Sequence, residues 1–292
     1  MNIKEFVKEF SDEIWNIGFI QNNLNSILLG EQIHVKWMKH SCKESWFADP
    51  FILDVTESEI HLLVEEYYKP IRRGRIARLI LDKSTYELKR KDVVLELSTH
   101  LSFPAIIRKD NNVFIYPENG ESGELNLYRY NPETNECKKV NLILNESVAD
   151  AVIAHIDGSD WLFCTKRPDP NGNKLYVFKK EKSGCFKAVD EYVFEENVAR
   201  MAGDFFEYNG KLYRPTQECN IQYGHAVTLQ EVLHNNGKFV FKEVRRMHSV
   251  HPSLNIGMHT FNMYKGVIVT DALGFQNMWI RKLLKGVGIM KR

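Results

Sequence analysis

Two aspartates, Asp49 and Asp150, each follow an alanine and open an apolar run, Asp49-Pro50-Phe51-Ile52-Leu53 and Asp150-Ala151-Val152-Ile153-Ala154. A third acid, Glu118, closes the aromatic run Val113-Phe114-Ile115-Tyr116-Pro117. Carboxylates gathered in one concavity suit general acid–base work, because like charges at short range push their pKa values apart. Other residues of chemical interest sit at comparable run ends: His100, Asp204 and His259 at openings, Lys166, Arg167, Arg214 and Gln217 at closings. Each also has a bland reading. An Asp opening a strand bonds its own backbone as a turn residue. A lone His packs, and a Glu at a strand end is solvated. What decides is whether the fold brings these residues to one place.

The chain repeats an apolar strand, a tight turn and a second strand five times, beginning at Trp46, Leu101, Ala149, Gly203 and Met258, about every 50 residues. Asp157-Gly158 and Asn209-Gly210 are strong hairpin signals. Outer strands follow at 75–81, 125–130 and 174–179, with half-exposed alternation. Four short strands per unit at this period predict propeller blades. The fifth copy has too little chain after it, so Trp15–Ile20 and Ile33–Met38 are expected to complete it and close the ring, which removes sheet edges. The prediction is an all-β, five-bladed β-propeller as one domain over residues 1–275. Helix is expected only at about 2–14 and after about 275, with 276–292 a basic amphipathic tail.

In a propeller, inner strands start on the face to which second strands return. That rule gathers Asp49, His100, Asp150, Asp204 and His259 with Glu65, Glu66, Glu118, Lys166, Arg167, Arg214, Gln217 and Asp271 at one channel mouth. The Arg72-Arg73-Gly74-Arg75 loop rims it, either solvated or holding a phosphate.

The strings Trp46-Phe47-Ala48-Asp49-Pro50, His100-Leu101-Ser102-Phe103-Pro104, Tyr116-Pro117-Glu118, Ala149-Asp150, Arg200-Met201-Ala202-Gly203, Tyr213-Arg214-Pro215-Thr216-Gln217-Glu218-Cys219 and Gln222-Tyr223-Gly224 occur in a telling order. Over roughly residues 15–275 the chain resembles the N-terminal propeller domain of glucosamine inositolphosphorylceramide transferases and their bacterial relatives. More distantly it is similar to five-bladed arabinanase and xylosidase-type glycosidases. That similarity implies that Asp49 matches their blade-one general base and Asp150 their blade-three carboxylate, which tunes the acid and orients the sugar. Their general acid is a blade-four Glu, where this chain has Ala202-Gly203-Asp204. Glycoside hydrolysis needs both a proton donor and a base or nucleophile, so Glu118 or Glu218 would have to supply the acid.

Net charge is +1, which implies no global attraction to nucleic acid. No apolar run approaches the roughly 20 residues of a membrane span. No signal-peptide pattern opens the chain. The five cysteines include no CxxC pair, which argues for reduced thiols and against disulfide or zinc frameworks. A cytoplasmic protein is expected, touching the inner membrane face at its periphery. Three functions compete. The first is a glycosyltransferase joining a phosphate-activated sugar donor to a surface-polysaccharide or glycolipid acceptor. Asp49 is then the base, with Lys166, Arg167, Arg200 and Arg214 near the donor and Arg72 and Arg73 as a clamp. Mg²⁺ would enter through donor phosphates. The second is a hydrolase or phosphorylase using Asp49 and Glu118. The third is a non-catalytic glycan binder stacking sugars on Trp46, Phe47, Phe103 and Tyr223. His100, Asp204, Gln217 and His259 complete the binding set. The tail from Met278 interleaves Trp, Ile, Leu and Met with five cations and no acid. It reads either as a helix packed on the propeller or as a segment lying on an anionic membrane.

Overall fold

The computed structural model describes residues 13–275, and these form five four-stranded antiparallel sheets around a channel. Blade one is β3 (Ser45–Val55), β4 (Glu59–Tyr68), β5 (Arg73–Asp82) and β6 (Leu88–Leu95). Blade two is β7 (Ser102–Lys109), β8 (Asn112–Glu118), β9 (Leu125–Tyr130) and β10 (Cys137–Leu144). Blade three is β11 (Val148–Ile156), β12 (Ser159–Lys166), β13 (Lys174–Lys180) and β14 (Phe186–Val193). Blade four is β15 (Phe206–Tyr208), β16 (Lys211–Glu218), β17 (Ala226–Asn235) and β18 (Lys238–Met247). Blade five joins β19 (Phe261–Tyr264) and β20 (Val267–Phe275) to β1 (Glu13–Ile20) and β2 (Val35–Trp37), so the N-terminal strands do close the ring.

Local chemistry explains the hairpins. Asp110-Asn111, Asp157-Gly158, Asn209-Gly210, Asn236-Gly237 and Lys265-Gly266 all have positive φ at both residues. That is the turn whose twist matches the strands it joins. Between blades the side chains interdigitate; Phe51 of blade one meets Phe103 of blade two edge-to-face, with centroids 4.9 Å apart. Glu13 and Ile14, expected in a helix, are strand residues, paired to Phe275 and Gly274. The rest of that segment, and the tail helix, lie outside the described residues. A short helix that the pattern did not reveal, α1 (Leu24–Leu28), starts where the Asn23 side chain accepts from the Ser26 N–H.

Three inner strands break register at matching points, between Ala48 and Phe51, Ser102 and Ala105, and Ala149 and Val152. At each break a non-glycine residue is left-handed: Asp49 at φ 50°, Phe103 at 45° and Asp150 at 44°. Such a conformation costs about 1–2 kcal/mol for an L-residue and persists only where surroundings enforce it.

Candidate active site

The bulges turn backbone N–H groups toward acceptors on other strands. Asp49 N–H donates to Asp271 Oδ2 (3.2 Å), and Phe103 N–H to Asp49 Oδ2 (2.9 Å). Asp150 N–H donates to Glu118 Oε2 (3.0 Å). A carboxylate from one blade thus holds the bulge of the next, and the acids are locked in place by backbone. Asp49, Glu118, Asp150 and Asp271 are all buried.

Around Asp271 the network is dense. Its Oδ1 accepts from His259 and Thr260 N–H groups (3.0 and 3.1 Å), and its Oδ2 from the Thr260 hydroxyl (2.8 Å). His259 Nδ1 lies 2.7 Å from Asp271 Oδ2 and Nε2 lies 3.5 Å from Asp49 Oδ1. Burial works against charge on His259, but Asp271 and then Asp49 outweigh it and push the imidazole up to about 9. Trp15 stacks on that ring at 4.0 Å. Asp271 is itself held below the usual carboxylate range, His259 overcoming the effect of burial. Asp49 goes the other way: burial lifts its pKa, His259 opposes, and the acids Asp150, Glu65 and Asp271 add to the rise.

The second half of the site centres on Asp150. Arg200 Nε (2.6 Å) and Gln217 Nε2 (2.5 Å) both donate to its Oδ2. Arg200 also reaches Glu118 Oε2 (3.3 Å) and, through Nη1, Asn171 Oδ1 (2.8 Å). Burial lifts the Glu118 carboxyl well above the usual range; Arg200 opposes and Asp150 reinforces the rise. Arg167 is half exposed, with Nη2 3.9 Å from Glu118 Oε1. Tyr223 lies over the Arg200 guanidinium at 4.9 Å. Beside it His100 accepts the Gly74 N–H at Nδ1 (2.9 Å) and places Nε2 3.1 Å from Glu65 Oε1, so its proton sits on Nε2. Gly74 is required here, since a Cβ would come within 2.7 Å of Glu65 Oε1 and 2.8 Å of the His100 ring while also striking the Leu101 carbonyl.

The structure therefore brings together Asp49, His100, Glu118, Asp150, Arg167, Arg200, Gln217, Tyr223 and His259. It does not bring in three expected residues. Lys166 pairs with Glu146 and lies over the Tyr176 and Phe178 rings on the flank of blade three. Arg214 is wholly buried against Phe194 and Phe241, donating to the Val198 and Ala199 carbonyls. Asp204 gives its N–H to Asn262 Oδ1, and the charge it feels is Arg108 at the far end of β7. Glu66 also turns away, to Ser45, Arg75 and Lys91. Of the expected clamp, Arg73 lies 4.0 Å from Glu96 while Arg72 is exposed on the rim loop. Glu218 is tied to His225 (2.7 Å) and held below the usual range, His225 overcoming burial, so it stays ionised and is no proton donor. The pattern missed Trp15, Asn171 and Thr260, whose runs carry no distinguishing residue.

Asp49, His259 and Asp271 present ligand atoms within 4.8 Å of one another. The donor set nevertheless fits a metal poorly. Asp271 already accepts from four protein donors besides the His259 ring, and the imidazole is protonated, supplying the balancing charge itself. No step is routed through Mg²⁺.

The family model described as "Glucosamine inositolphosphorylceramide transferase 1, N-terminal" matches residues 33–271. The chain belongs to this family. Among proteins similar to this member, the glucosamine inositolphosphorylceramide transferase 1 of Arabidopsis thaliana is 28% identical over 233 residues, 76% of this chain and 29% of that protein. That of Oryza sativa subsp. indica is 26% identical over 198 residues, 64% and 26%. This family member thus spans under a third of those relatives. In fold it is similar to a GH43 β-xylosidase/α-arabinofuranosidase from a compost metagenome, with TM-score 0.55, 10% identity, and 82% and 93% of the two chains covered. It is also similar to the GH32 β-fructofuranosidase of Bombyx mori, with TM-score 0.55, 12% identity, and 78% and 56% covered. At such identities the likeness is one of architecture.

Proposed function

We propose that the channel mouth binds a carbohydrate and serves glycosyl transfer from a phosphate-activated donor to a surface-polysaccharide or glycolipid acceptor. The observation that carries this reading is a buried, proton-retaining Glu118 beside an Asp150 fixed by Arg200 and Gln217, with Asp49 in the same network. Glu118 gives its proton to the departing oxygen. Arg167, beside Glu118 Oε1 and open to solvent, meets the donor phosphate. Asp49, with its pKa raised toward the working pH, takes the proton of the attacking hydroxyl. Asp150 accepts from ring hydroxyls. The transferase names of the family's curated members support the reaction class.

Hydrolysis by the same acid and base is the second reading. It is favoured by one observation: Lys166 and Arg214 turn away, and Arg200 is neutralised by Asp150, which leaves Arg167 as the main donor-phosphate contact. The purified chain, given a panel of phosphate-activated sugars and a glycolipid or oligosaccharide acceptor, is expected to lengthen the acceptor by one sugar. Glu118→Gln and Asp49→Asn should each slow this about a hundredfold or more. Free sugar released equally with and without acceptor would assign hydrolysis. Binding with neither product would reduce the propeller to a glycan-binding unit.

A further inference from the structure

The mouth has a second side, whose residues take no part in the chemistry proposed for Glu118, Asp150 and Asp49. Trp46 and Tyr67 are register partners on β3 and β4, so their side chains share one face of blade one. The rings stack at 4.8 Å with planes 5° apart. Glu65, two residues before Tyr67, shares that face by the period of the strand, and its partner His100 lies 6.5 Å from the Tyr67 ring. On its other flank Trp46 packs against the cluster of Trp15, Ala48 and Leu273, and Trp15 stacks on His259. Two cavities meet at Trp46. One, of about 240 Å³, lies among Glu13, Trp46, Tyr67 and Lys69. The other, of about 570 Å³, has Trp15 and Trp46 in its wall together with Lys43, Lys69 and His251. Burial lowers the His251 pKa and Nδ1 accepts the Ser253 and Leu254 N–H groups, so the neutral ring carries its proton on Nε2. Of the four rings expected to stack sugars, Phe47 and Phe103 are wholly buried, which leaves half-buried Trp46 and exposed Tyr223.

We infer that the groove at Trp46, between blades five and one, is a subsite for a neutral sugar and receives the acceptor glycan. A sugar ring has apolar C–H faces and a polar edge, and an aromatic wall with hydrogen-bonding groups at its rim matches both. Here the wall is Trp46 with Tyr67, and the rim is Glu13, Lys43, Lys69 and His251. Donors beside a carboxylate suit hydroxyls, which both give and accept. Trp46 stands three residues before Asp49 on β3, on the order of 10 Å along a strand. A glycan with its reacting hydroxyl at Asp49 must therefore run beyond one sugar to cover Trp46. The acceptor enters over blades five and one, the donor with its phosphate at Arg167 over blades two and three, and the two meet at the channel. The assignment to the acceptor rests on the transfer reading of the site; the sugar subsite itself does not.

The test uses the full chain with nitrogen-15 in its tryptophans, titrated with cellotriose, xylotriose, mannotriose and chitotriose and with the corresponding monosaccharides. Trp46→Phe identifies the Trp46 indole N–H signal by its loss. That signal should move with at least one trisaccharide at a concentration tenfold or more below that needed by its monosaccharide. The signal of Trp161, near the Asp157-Gly158 turn at the far end of blade three, should stay still. Trp46→Ala should weaken trisaccharide binding at least tenfold, and Lys69→Gln severalfold with the melting temperature unchanged. In the transfer assay Trp46→Ala should raise the acceptor KM at least tenfold and leave the donor KM within twofold, and Arg167→Gln should do the reverse. The inference is overturned if no trisaccharide moves the Trp46 signal, if a monosaccharide moves it equally well, or if Trp46→Ala raises the donor KM instead. A trisaccharide held at Trp46 but extended with no donor would retire the transfer reading, and with it the acceptor assignment, and leave the sugar subsite standing.

Discussion

Asp271→Asn tests the network from its most connected point. The carboxylate is fully buried and accepts from the Asp49, His259 and Thr260 N–H groups and the Thr260 hydroxyl, with His259 Nδ1 at 2.7 Å. An amide of the same shape can keep the two bonds at Oδ1, but its NH₂ then faces the donors at Oδ2. Thr260 can rotate its hydroxyl and His259 can give up a proton, but the Asp49 N–H has nowhere to turn. Leaving a buried donor unpaired costs about 1–3 kcal/mol, and removing one partner of a buried ion pair about 3–5 kcal/mol. The two overlap, so a loss of about 3–5 kcal/mol is expected, a fall in melting temperature on the order of 10 °C. The pH dependence is the sharper readout. The folded-state pKa of His259 is raised from 6.5 to about 9. Its stabilisation is therefore fully present below pH 6.5 and lost as pH rises through about 9, an effect of up to about 3 kcal/mol. Asp271→Asn should flatten most of that slope. Urea denaturation at intervals from pH 6 to 9.5 measures both quantities. A variant within about 1 kcal/mol of the parent, with the parent's slope intact, would refute the pairing of Asp271 with a charged His259.

Gly74→Ala should lower stability and displace His100, because the new methyl meets the Leu101 carbonyl and Glu65; a changed His100 ring resonance in NMR alongside a lower melting temperature checks it. Burial pushes the Asp204 carboxyl up to about 7, so its ionisation lowers stability as pH rises past 3.8 toward 7, and Asp204→Asn should be more stable than the parent at pH 8 but not at pH 4. Infrared titration should find a protonated carboxyl band persisting above the usual carboxylate range, and Glu118→Gln should remove part of it.

The hairpins were legible because their turns are local: Asp157-Gly158 and Asn209-Gly210 specify φ for two adjacent residues. The shared mouth was legible in outline, from strand direction alone. What direction omits is parity. Glu65 and Glu66 are neighbours and must face opposite ways, and Arg214 lies three residues before Gln217, again on the other face. Lys166 lies one step past the end of the useful register. Asp204 fails for a different reason: the inner strand of blade four begins only at Phe206, so its position gains nothing from the strand rule. The partners of the acids were invisible, since Asp49 and Asp271 stand 222 positions apart and no short-range pattern links them.

The closure of blade five has a bearing on how the chain is made. The first strand, Glu13–Ile20, pairs with the last, Val267–Phe275. At 5–20 residues per second on the ribosome, roughly 10–50 s separate the synthesis of these two strands. Throughout that interval Trp15, Ile17 and Phe19 lack the neighbour that later covers them, while blades one to four emerge in order. The newborn chain thus carries a sticky edge until its last described strand arrives, and a circularly permuted chain opened between blades one and two, in the connection from β6 to β7, would make all four strands of blade five in succession and shed that hazard.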